Sequence, residues 1–204
     1  MKLVAMLAFL LSPLPPVALY LAGGSLSTME PLYLVAQVCG IAAFSYFIGQ
    51  FLLAGKPFGL GSLLGAKDHQ RLHVALAALG IFTSHAHWYV KAVVFGMPYE
   101  PFVIAGHVAM ALFSVASLAA LVLISPLAIA KPFSRLRQAL AGIGLDWKRA
   151  RAVHQAVALG ALALAFHVLS AWSTQMSWYA FAWMAAYLLA SLAAFVAYRI
   201  RGRK

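Results

Sequence analysis

Apolar residues in this chain run in long blocks rather than in alternation. The blocks lie near residues 3–23, 31–55, 72–95, 102–125, 152–172 and 178–198, separated by short polar connections. A helix rises 1.5 Å per residue, so about 20 apolar residues match the hydrocarbon core of a bilayer. Six membrane-spanning helices are the simplest reading. Period-two alternation, the mark of a β-barrel, is absent, so helices are the only spanning structure the pattern supports. The first block holds Pro13, Pro15 and Pro16, which kink a helix. Met1-Lys2-Leu3 ahead of an apolar run also resembles a signal peptide, but Ala22-Gly23-Gly24 is a poor cleavage site, so a retained, kinked helix is expected.

Composition sharpens the class. With 64% hydrophobic and only 9% charged residues among 204, and a mean hydropathy of +0.90, the chain exceeds what a soluble core would bury. The expectation is one all-α integral membrane domain over residues 1–204, with no soluble flavin or nicotinamide domain.

Charge gives the orientation. Every Lys and Arg except Lys91 falls at Lys2, in 56–71, in 126–151 or in the tail after 198, while the other connections carry Glu30 and Glu100. Both termini are therefore expected on the cytoplasmic side. The net charge of +11 follows this alternation and clusters on no soluble domain, which argues against nucleic acid and for anionic lipid and an acidic cytoplasmic partner. Within 126–151, Phe133, Leu136, Leu140 and Ile143 recur at helical spacing among Lys131, Arg135 and Arg137. That pattern fits a basic amphipathic helix on the membrane surface, with a solvated, partly helical loop as the alternative. No internal repeat or low-complexity run is visible. Cys39 is the only cysteine, so there is no disulfide framework, no iron–sulfur ligand set and no C-x-x-C-H for covalent haem.

Four histidines carry the chemistry. His73 and His87 lie fourteen residues apart in the third block, and His154 and His167 thirteen apart in the fifth. Both helices run outward from the cytoplasm, so His73 and His154 share one depth and His87 and His167 another. Roughly 20 Å separates the two depths, room for one porphyrin near each leaflet. Imidazole is a standard axial donor to haem iron, and two leave no open coordination position. Fourteen residues rotate about 320°, which puts His73 and His87 on one face; thirteen rotate about 220°, which does not align His154 with His167 on an ideal helix. Gly160 between them is the expected place for a distortion, or the haems are rotated about the bundle axis. Ala75, Ala77, Gly80, Ala156, Gly160 and Ala163 would admit close helix packing or a flat macrocycle.

Arg71-Leu72-His73 through His87-Trp88-Tyr89, with Trp147-Lys148 leading to His154-Gln155 and Phe166-His167, resembles the ferric reductase-like transmembrane domain. That family includes NADPH oxidases, ferric reductases and the haem subunit of the bacterial methionine sulfoxide reductase system. The resemblance covers essentially the whole chain and implies two haems b between the third and fifth helices. His73 and His154 would ligate the cytoplasmic haem, His87 and His167 the outer one. It implies transmembrane electron transfer in a bacterial cytoplasmic membrane, from a flavoprotein reductase, reduced flavin or quinol donor to an acceptor at the outer face. Lacking flavin and nicotinamide domains, the chain would need a separate donor. The methionine sulfoxide reductase haem subunit matches in length, but His73 is not part of its usual pattern. Trp147, seven residues before His154 rather than one turn, departs from it too.

The remaining polar groups have secondary roles. His69 begins an H-x-x-x-H with His73 and is an alternative ligand by register shift; His85 is the alternative to His87. His107 would lie level with the outer pair, near a haem propionate or the acceptor, and Arg71, Arg149 and Arg151 are placed to bind propionates at the inner pair. Trp88, Trp172 and Trp178 read as interfacial belt aromatics. A di-iron enzyme would need its histidines at one depth. A proton-coupled transporter would want Asp or Glu within a span, and none is there. A structural protein with incidental histidines would not explain the matched depths.

Overall fold

The computed structural model describes residues 1–23, 29–97, 100–124, 132–145, 147–171, 175 and 177–201, and every regular element among them is helical. Lys131, Gly24, Trp172, Arg203 and Lys204 lie outside the described residues. In chain order the helices are α1 (Lys2–Leu10), α2 (Leu14–Gly23), α3 (Pro31–Gly55), α4 (Leu60–Trp88), α5 (Pro101–Ala119), α6 (Ser134–Gly142), α7 (Trp147–Gln155), α8 (Val157–Ser170) and α9 (Trp178–Arg201).

Local chemistry sets the boundaries. Glu30 caps α3 by accepting from the Tyr33 amide at 2.8 Å, and Pro31 follows at the first helical position, where its missing N–H costs nothing. α5 opens on the same Glu-Pro pair, Glu100-Pro101. Lys56, in the left-handed region, ends α3. The proline-rich first block is two helices bent 41° at their junction, as its sequence anticipates. Gly65 takes φ 68°, ψ 162° and kinks α4 below its histidines. α4 continues past Trp88 in a π-helical turn, Tyr89–Val94, and α5 ends in another, Ala120–Ile124.

Among the described residues four helices are long and apolar enough to cross a membrane: α3, α5 with its wide turn, α7–α8 together, and α9; the bent α1–α2 pair makes a fifth if it is one span. α4 has the length but is not among them. His73, Thr83, Ser84, His85 and His87 dilute its hydropathy, so the sixth span expected at 72–95 is the least apolar.

The core is two helix pairs set against each other. α3 packs chiefly on α4 and α5 on α8, while α9 and α2 cover α3. The pairs correspond residue by residue. One interval along the chain separates Gly40 from Gly106, Ala43 from Ala109 and Phe47 from Phe113; a second separates Ala78-Leu79-Gly80 from Ala158-Leu159-Gly160 and His87 from His167. The rings of Phe47 and Phe113 stack between the pairs, and each meets its own glycine, Gly80 or Gly160. The chain thus holds a two-helix repeat, contrary to the expectation of none. Both copies run in the same direction, so the repeat is parallel rather than inverted.

α6 occupies 134–142 and is the amphipathic helix of the basic connection, with Leu136 and Ile143 exposed.

Candidate functional site

The four paired histidines meet in two couples. The His73 and His154 ring centroids are 5.9 Å apart with planes at 72°, and those of His87 and His167 are 6.2 Å apart at 74°. A direct N–H···N bond would bring imidazole centroids to roughly 5 Å. A metal between them, with nitrogen bonds of about 2.0 Å, would set them roughly 6 Å apart.

The thirteen-residue spacing is reconciled by a tightened turn, not by Gly160. The Ala156 amide donates to the Val153 carbonyl at 2.9 Å and the Leu159 amide to the Ala156 carbonyl at 2.9 Å, both i to i+3, and α7 and α8 part at Ala156. Each residue wound this way turns about 20° further and rises about 0.5 Å more than in an α-helix. The two turns enclose four residues, so the tightening recovers about 80° of the roughly 100° by which the two spacings differ, and lengthens the helix by about 2 Å. Gly160 itself makes ordinary contacts: a Cβ there would stand 3.4 Å from Leu112 and 3.5 Å from Phe113.

At the His87–His167 couple both rings are oriented by backbone. His87 Nδ1 lies 2.8 Å from the Ala36 carbonyl of α3, and His167 Nδ1 lies 2.7 Å from the Phe102 carbonyl of α5. A carbonyl only accepts, so Nδ1 of each ring is the donor and Nε2 carries the lone pair. This is how metal-binding histidines are usually held.

A glycine one turn on makes that bond possible. A helical Cβ leans toward the N-terminus and covers the preceding turn. Gly40 and Gly106, four residues after Ala36 and Phe102, leave those carbonyls open. A Cβ on Gly40 would stand 2.8 Å from His87 Nδ1, and one on Gly106 2.8 Å from His167 Nδ1. Neither glycine stands out in the sequence by itself; the signal is the interval from Gly40 to Gly106, which is also that from Ala43 to Ala109 and from Phe47 to Phe113.

The other couple is held differently. The His73 carbonyl accepts from Gln50 Nε2 at 3.0 Å, and His154 Nδ1 is buried without a hydrogen-bond partner. His69 donates through Nε2 to the Leu53 carbonyl at 3.0 Å, and His85 Nδ1 engages the Ile81 carbonyl of its own helix at 2.8 Å on an exposed face. Neither joins a couple.

A cavity of about 120 Å³ adjoins His87 and His167. His107 lines it, with Trp88 centred 6.5 Å away. Trp88 lines the cavity as well, whereas Trp178 is exposed. Arg71 pairs with Asp68 at 3.6 Å, Arg149 donates to the Gly144 carbonyl at 2.6 Å, and Arg71, Arg149 and Arg151 are all exposed.

Among the described residues no three His, Cys, Asp or Glu side chains gather around one point. Two imidazoles alone do not satisfy a bare zinc or di-iron centre, which takes three or more protein ligands. They do satisfy a metal that brings four equatorial donors of its own, as haem iron does.

No family model, curated protein or solved structure matches this chain.

Proposed function

We propose that this chain is a membrane cytochrome of the ferric reductase-like kind. It would span the membrane six times and carry electrons through two bis-histidyl haems b from a cytoplasmic donor to an acceptor at the outer face. Support comes above all from the His87–His167 couple: two rings 6.2 Å apart, each with Nδ1 donating to a helix carbonyl and Nε2 left as a ligand. His73 and His154, 5.9 Å apart, would hold the cytoplasmic group.

Bound between two imidazoles, haem supplies a one-electron centre whose iron has no open coordination position. The protein's part is placement. Ala36 and Phe102 fix the tautomer and angle of the outer rings, and a hydrogen bond from Nδ1 raises the basicity of Nε2. Phe47 and Phe113, at the level of Gly80 and Gly160, fill the space between the two couples and keep water from it. The cytoplasmic donor would be a flavoprotein, reduced flavin or quinol, drawn to the basic surface of 56–71 and 126–151.

The test is a pyridine haemochrome assay with reduced-minus-oxidised spectra on detergent-purified protein. Two haems b per chain are expected. Replacement of His87 or His167 by Ala should leave about one, as should replacement of His73 or His154. Unchanged haem in all four variants, or none in the supplemented wild type, overturns the reading.

A further inference from the structure

Lys91 and Gln37 are the most deeply buried polar side chains beside the His87–His167 couple. Lys91 is 8% exposed and Gln37 6%, and both line the cavity that adjoins the two rings. Lys91 lies in the π-helical turn after Trp88, a type of turn frequent at functional sites. It is also the one Lys or Arg outside the four basic stretches of the sequence.

Neither group has the partner its chemistry asks for. Lys91 Nζ stands 3.3 Å above the Tyr33 ring centroid, a cation–π contact, and no carboxylate among the described residues forms an ion pair with it. The ring face offsets only part of what burying an ammonium costs. Gln37 Nε2 is buried with no hydrogen-bond partner. Two residues bearing donors, one of them charged, thus line one cavity without an acceptor. Their complement is an anionic, acceptor-only group, and a carboxylate is the simplest.

We infer that Lys91 and Gln37 form a carboxylate-binding subsite that holds a propionate of the porphyrin seated between His87 and His167. The inference rests on the haem reading above. The cavity favours this source, because the two donors share it with the rings that would hold the iron. The consequence has a sign: a bare carboxylate opposes electron uptake, and pairing it with an ammonium removes that opposition. Lys91 therefore raises the electron affinity of the outer site, which draws electrons outward.

The experiment uses the purified full chain, with haem labelled by ¹³C at the propionate carboxyls. Redox-difference infrared spectra and potentiometric titration are recorded for wild type, Lys91→Met, Lys91→Arg and Gln37→Leu. The expected result is a ¹³C-sensitive carboxylate band that moves in Lys91→Met and Gln37→Leu and is largely retained in Lys91→Arg. A lower midpoint potential for one haem only should accompany the moved band. If Lys91→Met does not accumulate, Gln37→Leu and Lys91→Arg carry the comparison.

Two haems with unchanged ¹³C bands and potentials in every variant overturn the subsite while leaving the cytochrome reading intact. A potential that falls in Lys91→Met without a ¹³C-sensitive change, and that follows added acetate in the wild type, assigns the subsite to a free carboxylate and overturns the propionate. Absence of haem in the wild type overturns both readings.

Discussion

Phe47 and Phe113 stack face to face with centroids 4.1 Å apart and planes within 6°. Each ring comes from the first helix of its copy of the repeat and lies on a glycine of the second, Phe47 on Gly80 and Phe113 on Gly160. Those glycines fall midway between the histidines of α4 and of α7–α8, so the stack is the floor of one site and the ceiling of the other. Phe113→Ala should lose the burial and the stacking together, about 3–5 kcal/mol for a buried Phe→Ala. Thermal unfolding in detergent reads this as a clear drop in Tm, and an unchanged Tm would show that the stack contributes nothing.

The glycines divide by what a Cβ would meet. Gly40→Ala and Gly106→Ala put a methyl 2.8 Å from an imidazole nitrogen, which forces the ring off its carbonyl. Haem per chain should fall from two toward one, with the loss confined to the His87–His167 site. Gly160→Ala makes only ordinary contacts near 3.4 Å and should retain both haems. Equal effects from all three variants would contradict this account of ring placement.

Side chains outside the couples should be dispensable for cofactor binding. His69 donates to the Leu53 carbonyl and His85 engages its own helix, so His69→Ala and His85→Ala should each keep two haems. A spectrum that loses one haem in either variant would move the ligand assignment to that histidine.

Asp68 ties the first helix to the histidine helix. Its carboxylate pairs with Lys2 and, at 3.6 Å, with Arg71. The hydrogen bond from Lys2, then the charges of Lys2 and Arg71, hold its pKa below the usual carboxylate value. A depressed folded pKa means the contact contributes fully above the unfolded value of about 3.9 and is lost only as pH falls through the lower folded one. Asp68→Asn should therefore speed hydrogen exchange across Lys2–Leu10 at pH 7, and the wild type should show no such change between pH 5 and 8.

Much of this arrangement is legible from the residues. The all-helical class follows from block hydrophobicity, the bend of the first block from Pro13, Pro15 and Pro16, and the meeting of His73 with His154 and His87 with His167 from counting residues along helices. The limits are equally physical. Gly40 and Gly106 act through a neighbouring helix, so their purpose appears only when His87 and His167 are seen against them. The repeat escapes notice because its two helices keep different intervals and share few side chains beyond Gly, Ala, Phe and His. Lys91 stands out in the sequence only as an exception to the charge pattern, since Gln37 and Tyr33 come from α3.

The sharpest test of the repeat is a change in its register. α4 spans its histidines in fourteen residues of regular helix; α7–α8 does so in thirteen by tightening at Ala156. Inserting one alanine after Ala156 would give the second copy the spacing of the first, and a regular helix then restores the alignment that the tight turn supplies. Inserting one alanine after Leu79 in α4 makes fifteen, which swings His73 and His87 by about 100° relative to each other with no tight turn to absorb it. The insertion after Ala156 should keep both haems, and the insertion after Leu79 should lose at least one. Haem content of the two purified variants decides it: loss in both would mean that the tight turn, rather than the register it restores, is what the site requires.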